Sequence, residues 1–418
     1  MCQQCAYLRF AHRFRHETDM KGFLRWRCPT RRAPGRSSMT SDTPAPSRST
    51  GDAVDRLMAG PAGEGFIDLG IGEPDQPLPL PLAEAAVAGI RAGHTGYTPK
   101  LGLPELRRLI AEDTATDQGP SIAVEDVIVT IGGTGAVAIA LLAAGGEGVL
   151  VPDPAWPNYV VLATSMGFRT RSYTQGSSGD DFFDLDEIEA GLRDGFRLVA
   201  VNSPSNPTGA VASRRALAAL VDLVRRYDAR ILSDEAYESI VFAGGRAPSP
   251  LEVGGADVTF AARTFSKRFS MTGLRLGSLV SPPGYRREVA AIHGTTAGCA
   301  PITAQEVGIA ALTEMPDRGD ELARIYRDRY TRAAALLGPR LPALGSGALG
   351  GFYLWIDARD TGRTGTEIAA ALAARGIGVS AGTVYSASEG FIRASLTAED
   401  AALDLALATI ATELDGSR

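Results

Sequence analysis

At 418 residues, 44% of them hydrophobic and 22% charged, the chain is long enough for a large core and, by length, two domains. A formal net charge of −6 gives no support to nucleic-acid binding, and no apolar run approaches the length of a membrane span. The four cysteines (Cys2, Cys5, Cys28 and Cys299) are too few and too bunched for a disulfide framework, so the cytoplasm is the expected compartment.

Residues 1–38 hold nine Lys/Arg against two acids, Glu17 and Asp19, while the remainder holds 33 against 46. No long apolar stretch follows the basic residues, which excludes a secretory signal. Cys2-x-x-Cys5 with His12, His16 and Cys28 matches none of the usual zinc spacings, and no metal is expected. Met39 opens a Ser/Thr/Pro-rich stretch that reads as the true beginning, so residues 1–50 are expected to be a disordered or non-native arm without chemistry of its own.

The folded part is expected from near Asp52. Phe66-Ile67-Asp68-Leu69 leads into Gly70-Ile71-Gly72-Glu73-Pro74-Asp75, where glycines let a backbone approach a ligand and Pro74 bars a helix. A plain surface turn would account for these residues equally. Pro81 to Arg91 reads as a helix, Gly96 to Gly102 as a loop carrying Tyr97, and Leu103-Pro104 opens the next helix with proline in its first turn.

From Val127 onward, short β-branched runs alternate with Ala/Leu-rich helices. Val127 to Ile131 reads as a buried strand, Gly132-Gly133-Thr134-Gly135 as a turn, and a helix is expected from near Ala136. A strand, a glycine turn and a helix N-terminus suit a phosphate, although the Gly-Lys-Ser/Thr ending of a P-loop and the dinucleotide fingerprint are both missing. Strand Gly148 to Pro152 delivers Trp156 to its carboxyl end, where an indole can either stack on a flat ring or fill the core. Strand Leu198 to Val201 runs into the Pro/Asn/Gly loop Asn202 to Gly209, which would hold Asn206 rigidly. Helix Ser213 to Tyr227 returns to strand Arg230 to Ser233, ending in Asp234-Glu235-Ala236-Tyr237. A buried Asp234 needs a cationic partner, and a protonated pyridine nitrogen would be one.

Strand Thr259 to Thr264 precedes Lys267, one of three lysines against 39 arginines, and strand Leu274 to Val280 follows it. A chain that uses arginine wherever a charge suffices has placed an amine here, and an amine can lose its proton and attack an aldehyde where a guanidinium cannot. Thr264, Ser266 and Arg275 around it supply hydroxyl donors and a bidentate cation for a phosphate. An amine beside a phosphate site suggests pyridoxal phosphate; a lone surface lysine would give the same local pattern.

In order and spacing, Gly-Glu-Pro-Asp, Tyr-Thr-Pro-x-x-Gly, Asn-Pro-Thr-Gly, Asp-Glu-x-Tyr, Ser-Lys-x-Phe-x-Met-x-Gly-x-Arg-x-Gly and a late Gly-Phe-Ile-Arg resemble the class I/II, fold type I pyridoxal-phosphate aminotransferases, from about Leu69 to Leu396. The resemblance implies that Lys267 holds the cofactor as an aldimine and later carries the proton. It implies that Asp234 keeps the pyridine nitrogen protonated, that Asn206 and Tyr237 bond the ring's 3-oxygen, and that Trp156 stacks on the ring. Gly133, Thr134, Thr264, Ser266 and Arg275 would hold the phosphate, with Tyr97 reaching it from the second subunit of a homodimer. Arg393 would grip the substrate α-carboxylate, with Gly72 close by.

The implied architecture is α/β: a large domain, residues 81–315, with a mainly parallel seven-stranded sheet between helices, and a smaller α/β domain, residues 316–418, joined by residues 51–80. Helix Arg318 to Leu337, strand Gly351 to Ile356, helix Thr366 to Ala373 and strand Phe391 to Ser395 would build the smaller one. The implied reaction moves an amino group from an L-amino acid to a 2-oxo acid through pyridoxamine phosphate. Decarboxylation, elimination, oxidation or carbon–carbon bond formation on the same scaffold is the alternative, and a non-catalytic ligand sensor a more distant one, since residues 1–50 are too short for a winged helix. Gly294 to Pro301, where dicarboxylate-selective relatives place an additional cation, has no arginine or lysine, which argues against aspartate or glutamate as the donor.

Overall fold

The computed structural model describes residues 65–115, 121–344 and 348–416. The arm expected over residues 1–50, the Cys2/Cys5/His12/His16/Cys28 set and the start of the joining segment lie outside them. Among the described residues no group of His, Cys, Asp and Glu is placed to hold a metal, and no helix is long and apolar enough to cross a membrane.

Seven strands form the central sheet: β2 (Val127–Ile131), β3 (Gly148–Asp153), β4 (Arg169–Thr174), β5 (Leu198–Asn202), β6 (Arg230–Asp234), β7 (Thr259–Thr264) and β8 (Leu276–Val280). Their spatial order is β2-β8-β7-β6-β5-β3-β4, parallel throughout except for β8, which runs antiparallel to β2 and β7. Residues of β5 and β8 are buried along their whole length, as expected of strands covered on both faces. Helix α3 (Gly132–Ala144) covers one face with Ala136, Val137, Ala140 and Leu141. Helix α6 (Arg214–Arg226) covers the other with Leu217, Leu220, Val221 and Val224, and the Ser213 hydroxyl caps it by accepting from the Ala216 N–H at 3.0 Å.

Helix α10 (Arg318–Leu337) leads to a three-stranded antiparallel sheet in which β12 (Phe391–Ser395) lies between β9 (Tyr353–Asp357) and β11 (Ser380–Ala381). The chain start returns to this part. Strand β1 (Ile67–Asp68) pairs in parallel with β10 (Ile377–Gly378), and buried Arg329 of α10 donates to both carboxylate oxygens of Asp75 at 2.8 and 2.9 Å. Residues 70–75 are thereby held across the carboxyl edge of the large sheet.

Three boundaries differ from the sequence reading. The helix after β2 starts at Gly132, so its glycines form the first helical turn instead of a separate loop. Strand β8 starts at Leu276, because Thr272–Leu274 is a 3₁₀ turn and Arg275 takes φ +55°. Strand β9 starts at Tyr353, because Gly351 at φ +71° turns the chain before it.

Candidate active site

The carboxyl ends of β3, β5, β6 and β7 open on a cavity of about 630 Å³, closed on the far side by residues 70–73, β9 and β12. Parallel α/β sheets hold ligands at this edge because their loops diverge there. Every candidate from the sequence except Tyr97 lines the cavity. Tyr97 is 98% exposed, in the loop before the second helix, and is not among the residues that line the cavity.

Lys267 sits on a four-residue helix, Phe265–Arg268, whose first turn is capped by the Thr264 hydroxyl, an acceptor for the Ser266 N–H at 3.2 Å. Its Nζ donates to the Gly72 carbonyl at 2.8 Å and has no ion-pair partner among the described residues. Burial pushes its pKa down to about 8; Glu73 opposes this, and Arg275 and Arg393 reinforce it. Part of the population is therefore a neutral amine near neutral pH.

Asp234 ends β6, and burial pushes its carboxyl up to about 6 against the hydrogen bonds it accepts from Tyr159 and the Ala236 N–H. Tyr237, beyond it, shares a 3.0 Å hydrogen bond between hydroxyls with Tyr353. Asn202 braces two of the predicted residues at once: its Nδ2 donates to the Asp234 carbonyl at 2.9 Å and its Oδ1 accepts from the Asn206 N–H at 2.7 Å.

At the other end of the cavity α3 begins without a side-chain cap, leaving Gly133 and Thr134 to present first-turn N–H groups. Gly132 has φ +66°, and a Cβ there would lie 2.5 Å from Arg275 Nη2, so glycine is what lets this guanidinium reach the helix start. Arg275 donates to the Thr272 carbonyl at 2.8 Å and meets no carboxylate among the described residues.

Arg393, on β12, is 4% exposed and likewise meets no carboxylate among the described residues. Its Nη1 donates to Asn206 Oδ1 at 3.1 Å and its Nη2 to the Gly70 carbonyl, while Nε is buried without a partner among them. The guanidinium lies 4.3 Å from the Tyr353 ring centre and 4.6 Å from that of Tyr385. Gly72 is required opposite: a Cβ there would fall 1.8 Å from Tyr353 Oη.

Sequence reasoning missed Tyr159, Asn202, Tyr353 and Tyr385. Tyr159 left a signal, lying one helical turn after Trp156. Asn202 stood inside the quoted loop, but its partner lies on a neighbouring strand. Tyr353 and Tyr385 carry no sequence signal that sets them apart from the other aromatics.

A doubly wound sheet that brings a desolvated, easily neutralised lysine amine into one cavity with a carboxylate and two guanidinium groups that meet no carboxylate among the described residues defines a fold type I site for pyridoxal 5′-phosphate. The donor set fits that group: an uncapped glycine helix start with Thr264, Ser266 and Arg275 for the phosphate, Asp234 for the ring nitrogen, and the orphaned Nε of Arg393 for a carboxylate.

The comparisons with known proteins agree. The model of the family described as aminotransferase class I and II matches residues 64–410. An aspartate aminotransferase of Pyrococcus horikoshii is 31% identical over 85% of this chain and 92% of its own, and an aromatic-amino-acid aminotransferase 2 of Thermococcus litoralis 30% identical over 79% and 87%. A crystal structure of aspartate aminotransferase from Thermotoga maritima superposes with a TM-score of 0.77 at 28% identity, covering 88% of this chain and 95% of that one. The chain belongs to the class I and II aminotransferases: it is an enzyme that transfers an amino group with pyridoxal phosphate as its cofactor.

Proposed function

We propose that Lys267 is the residue that bonds to the cofactor and moves the proton as an amino group passes from an L-amino acid to a 2-oxo acid. The observation that carries this is the arrangement of Lys267 Nζ, held neutral in part by burial, in one cavity with a buried Arg393 that meets no carboxylate among the described residues. Bound here, pyridoxal phosphate supplies an electron sink for the bond broken at the substrate Cα.

Arg393 takes the substrate α-carboxylate in a bidentate pair, with its orphaned Nε as the open donor. Once the substrate amine has freed Lys267 from the cofactor, its Nζ would take the Cα proton and later return one. Asp234 would hold the ring nitrogen in its protonated form, Asn206 and Tyr237 would donate to the ring's 3-oxygen, and Trp156 would cover a ring face. Gly133, Thr134, Thr264, Ser266 and Arg275 would hold the phosphate. Gly72 keeps the substrate side open by lacking a side chain.

A homodimer is supported by the exposed face formed by Leu80, Val87 and Ile90 on the first large-domain helix together with Tyr97. Tyr97 then completes the phosphate site of the second copy. The cysteine usage supports a cytoplasmic enzyme. The pairing of β1 with β10 and of Arg329 with Asp75 supports assigning residues 65–80, the described part of the joining segment 51–80, to the C-terminal domain of residues 316–418, with residues 81–315 as the cofactor-binding domain.

The names of the two relatives state different donors, so family membership leaves the donor to experiment. The purified holoenzyme, titrated with single amino acids without any 2-oxo acid, is expected to convert its cofactor absorbance to that of pyridoxamine phosphate with one equivalent of 2-oxo acid released. Turnover that releases carbon dioxide, ammonia or a side-chain fragment without accumulating pyridoxamine phosphate would replace transamination with another reaction of the same cofactor.

A further inference from the structure

Tyr159 lies in the first turn of the helix Asn158–Ser165, one turn after Trp156, and is 1% exposed. It touches two groups assigned above to the cofactor ring. Its hydroxyl donates to Asp234 Oδ2 at 2.5 Å, and its ring meets Trp156 edge to face, with centroids 5.3 Å apart and planes at 85°. Burial and the neighbouring carboxylate raise the phenol's pKa far above its ordinary value, so Tyr159 keeps its proton and acts as the donor.

The carboxylate needs such a donor. Asp234 is 8% exposed, and the other hydrogen bond to its side chain among the described residues comes from the Ala236 N–H, at 3.2 Å to Oδ1. A buried carboxylate with so few donors takes up a proton, and a protonated Asp234 would no longer favour a protonated ring nitrogen. We propose that Tyr159 is a positioning residue: it keeps Asp234 a fixed, ionised carboxylate facing the cofactor's ring nitrogen, and it buttresses Trp156 beside it. This rests on the assignment of Asp234 and Trp156 to the ring. The sharp alternative is a buried tyrosine that only packs, in which case its hydroxyl and Asp234 act independently.

A double-mutant cycle separates the two. The apoenzymes of wild type, Tyr159→Phe, Asp234→Asn and the double variant are titrated with pyridoxal phosphate by absorbance, with thermal unfolding of each apoprotein alongside. Tyr159→Phe keeps the ring against Trp156 and removes only the hydroxyl, so it is expected to weaken cofactor affinity about 10- to 100-fold, the scale of a hydrogen bond to a charge. In the Asp234→Asn background the same change should alter affinity less than about twofold. Equal losses in both backgrounds, or no loss in either, overturn the proposal. Should Tyr159→Phe fail to fold, Tyr159→His takes its place with a ring donor retained. Affinity within about threefold of wild type then supports the role, and a loss as large as that of Asp234→Asn overturns it. A wild type that takes up no pyridoxal phosphate would overturn the functional reading itself, a result distinct from either.

Discussion

Two charge clusters lie back to back around the ends of β6 and β7, and they are built by opposite rules. Asp234, Thr264 and Lys267 line the cavity, while their chain neighbours Glu235, Arg263 and Arg268 turn away from it. Behind the cavity each cation has its anion. Arg263 donates to Glu235 at 2.8 Å, Arg268 to both oxygens of Asp113 at 2.9 and 3.1 Å, and Arg246 also reaches Asp113. Ser233 and Ser249 complete Glu235 with further donors, and against the upward push of burial Arg268 and Arg246 hold Asp113 down at about 2. In the cavity Lys267, Arg275 and Arg393 have no such anion among the described residues.

The comparison teaches what burial of charge is for in each place. A cluster in which each cation meets a carboxylate fixes the ends of β6 and β7 and the Lys267 turn relative to one another. One without anions leaves cations open, from exposed Arg275 to buried Arg393, ready for a ligand's phosphate and carboxylate.

The largest test replaces the cavity lysine. Lys267→Met is expected to lower turnover by about 10⁴-fold, measured in single-turnover assays with the identified donor. The same variant probes stability in the apoprotein. The folded pKa of Lys267, about 8, lies below its ordinary 10.5, so between these values the unfolded chain binds more protons and stability rises with pH. Burying the lysine thus costs up to about 3 kcal/mol at pH 7, a cost relieved as pH passes from 8 toward 10. Urea unfolding should find the Met variant the more stable at pH 7, with the gap closing by pH 10. A gap independent of pH would show that Lys267 is solvated.

A change behind the cavity should act in the opposite sense. Glu235→Gln leaves Arg263 without its paired carboxylate and should destabilise the apoprotein by about 3–5 kcal/mol. The donor KM of the surviving holoenzyme should shift less than about threefold. A stability loss below about 1 kcal/mol would mean that the cluster is not holding these elements.

Arg393→Met sharpens the contrast from the cavity side. Loss of the bidentate carboxylate contact should lower kcat/KM about 10²- to 10³-fold, while apoprotein stability changes by less than about 1 kcal/mol, because removing an uncompensated charge offsets the lost hydrogen bonds to Asn206 and Gly70. Destabilisation on the scale of Glu235→Gln would make Arg393 a structural residue.

Much of this was legible in the chain itself. Alternating apolar strands and amphipathic helices determined the α/β class, because the periods of 2 and 3.6 are local properties. The scarcity of lysine marked Lys267, and the strand-end positions of Asp234 and Trp156 marked the carboxyl edge of the sheet. Only the tertiary structure decided which neighbours of these residues matter. Tyr159 meets Asp234 across 75 residues, Arg393 meets Gly70 across 323, and Arg268 meets Asp113 across 155. It also decided which buried charges are paired and which stand open. Desolvation and ion pairing depend on what surrounds a group in space, and a residue's place in the chain does not carry that information.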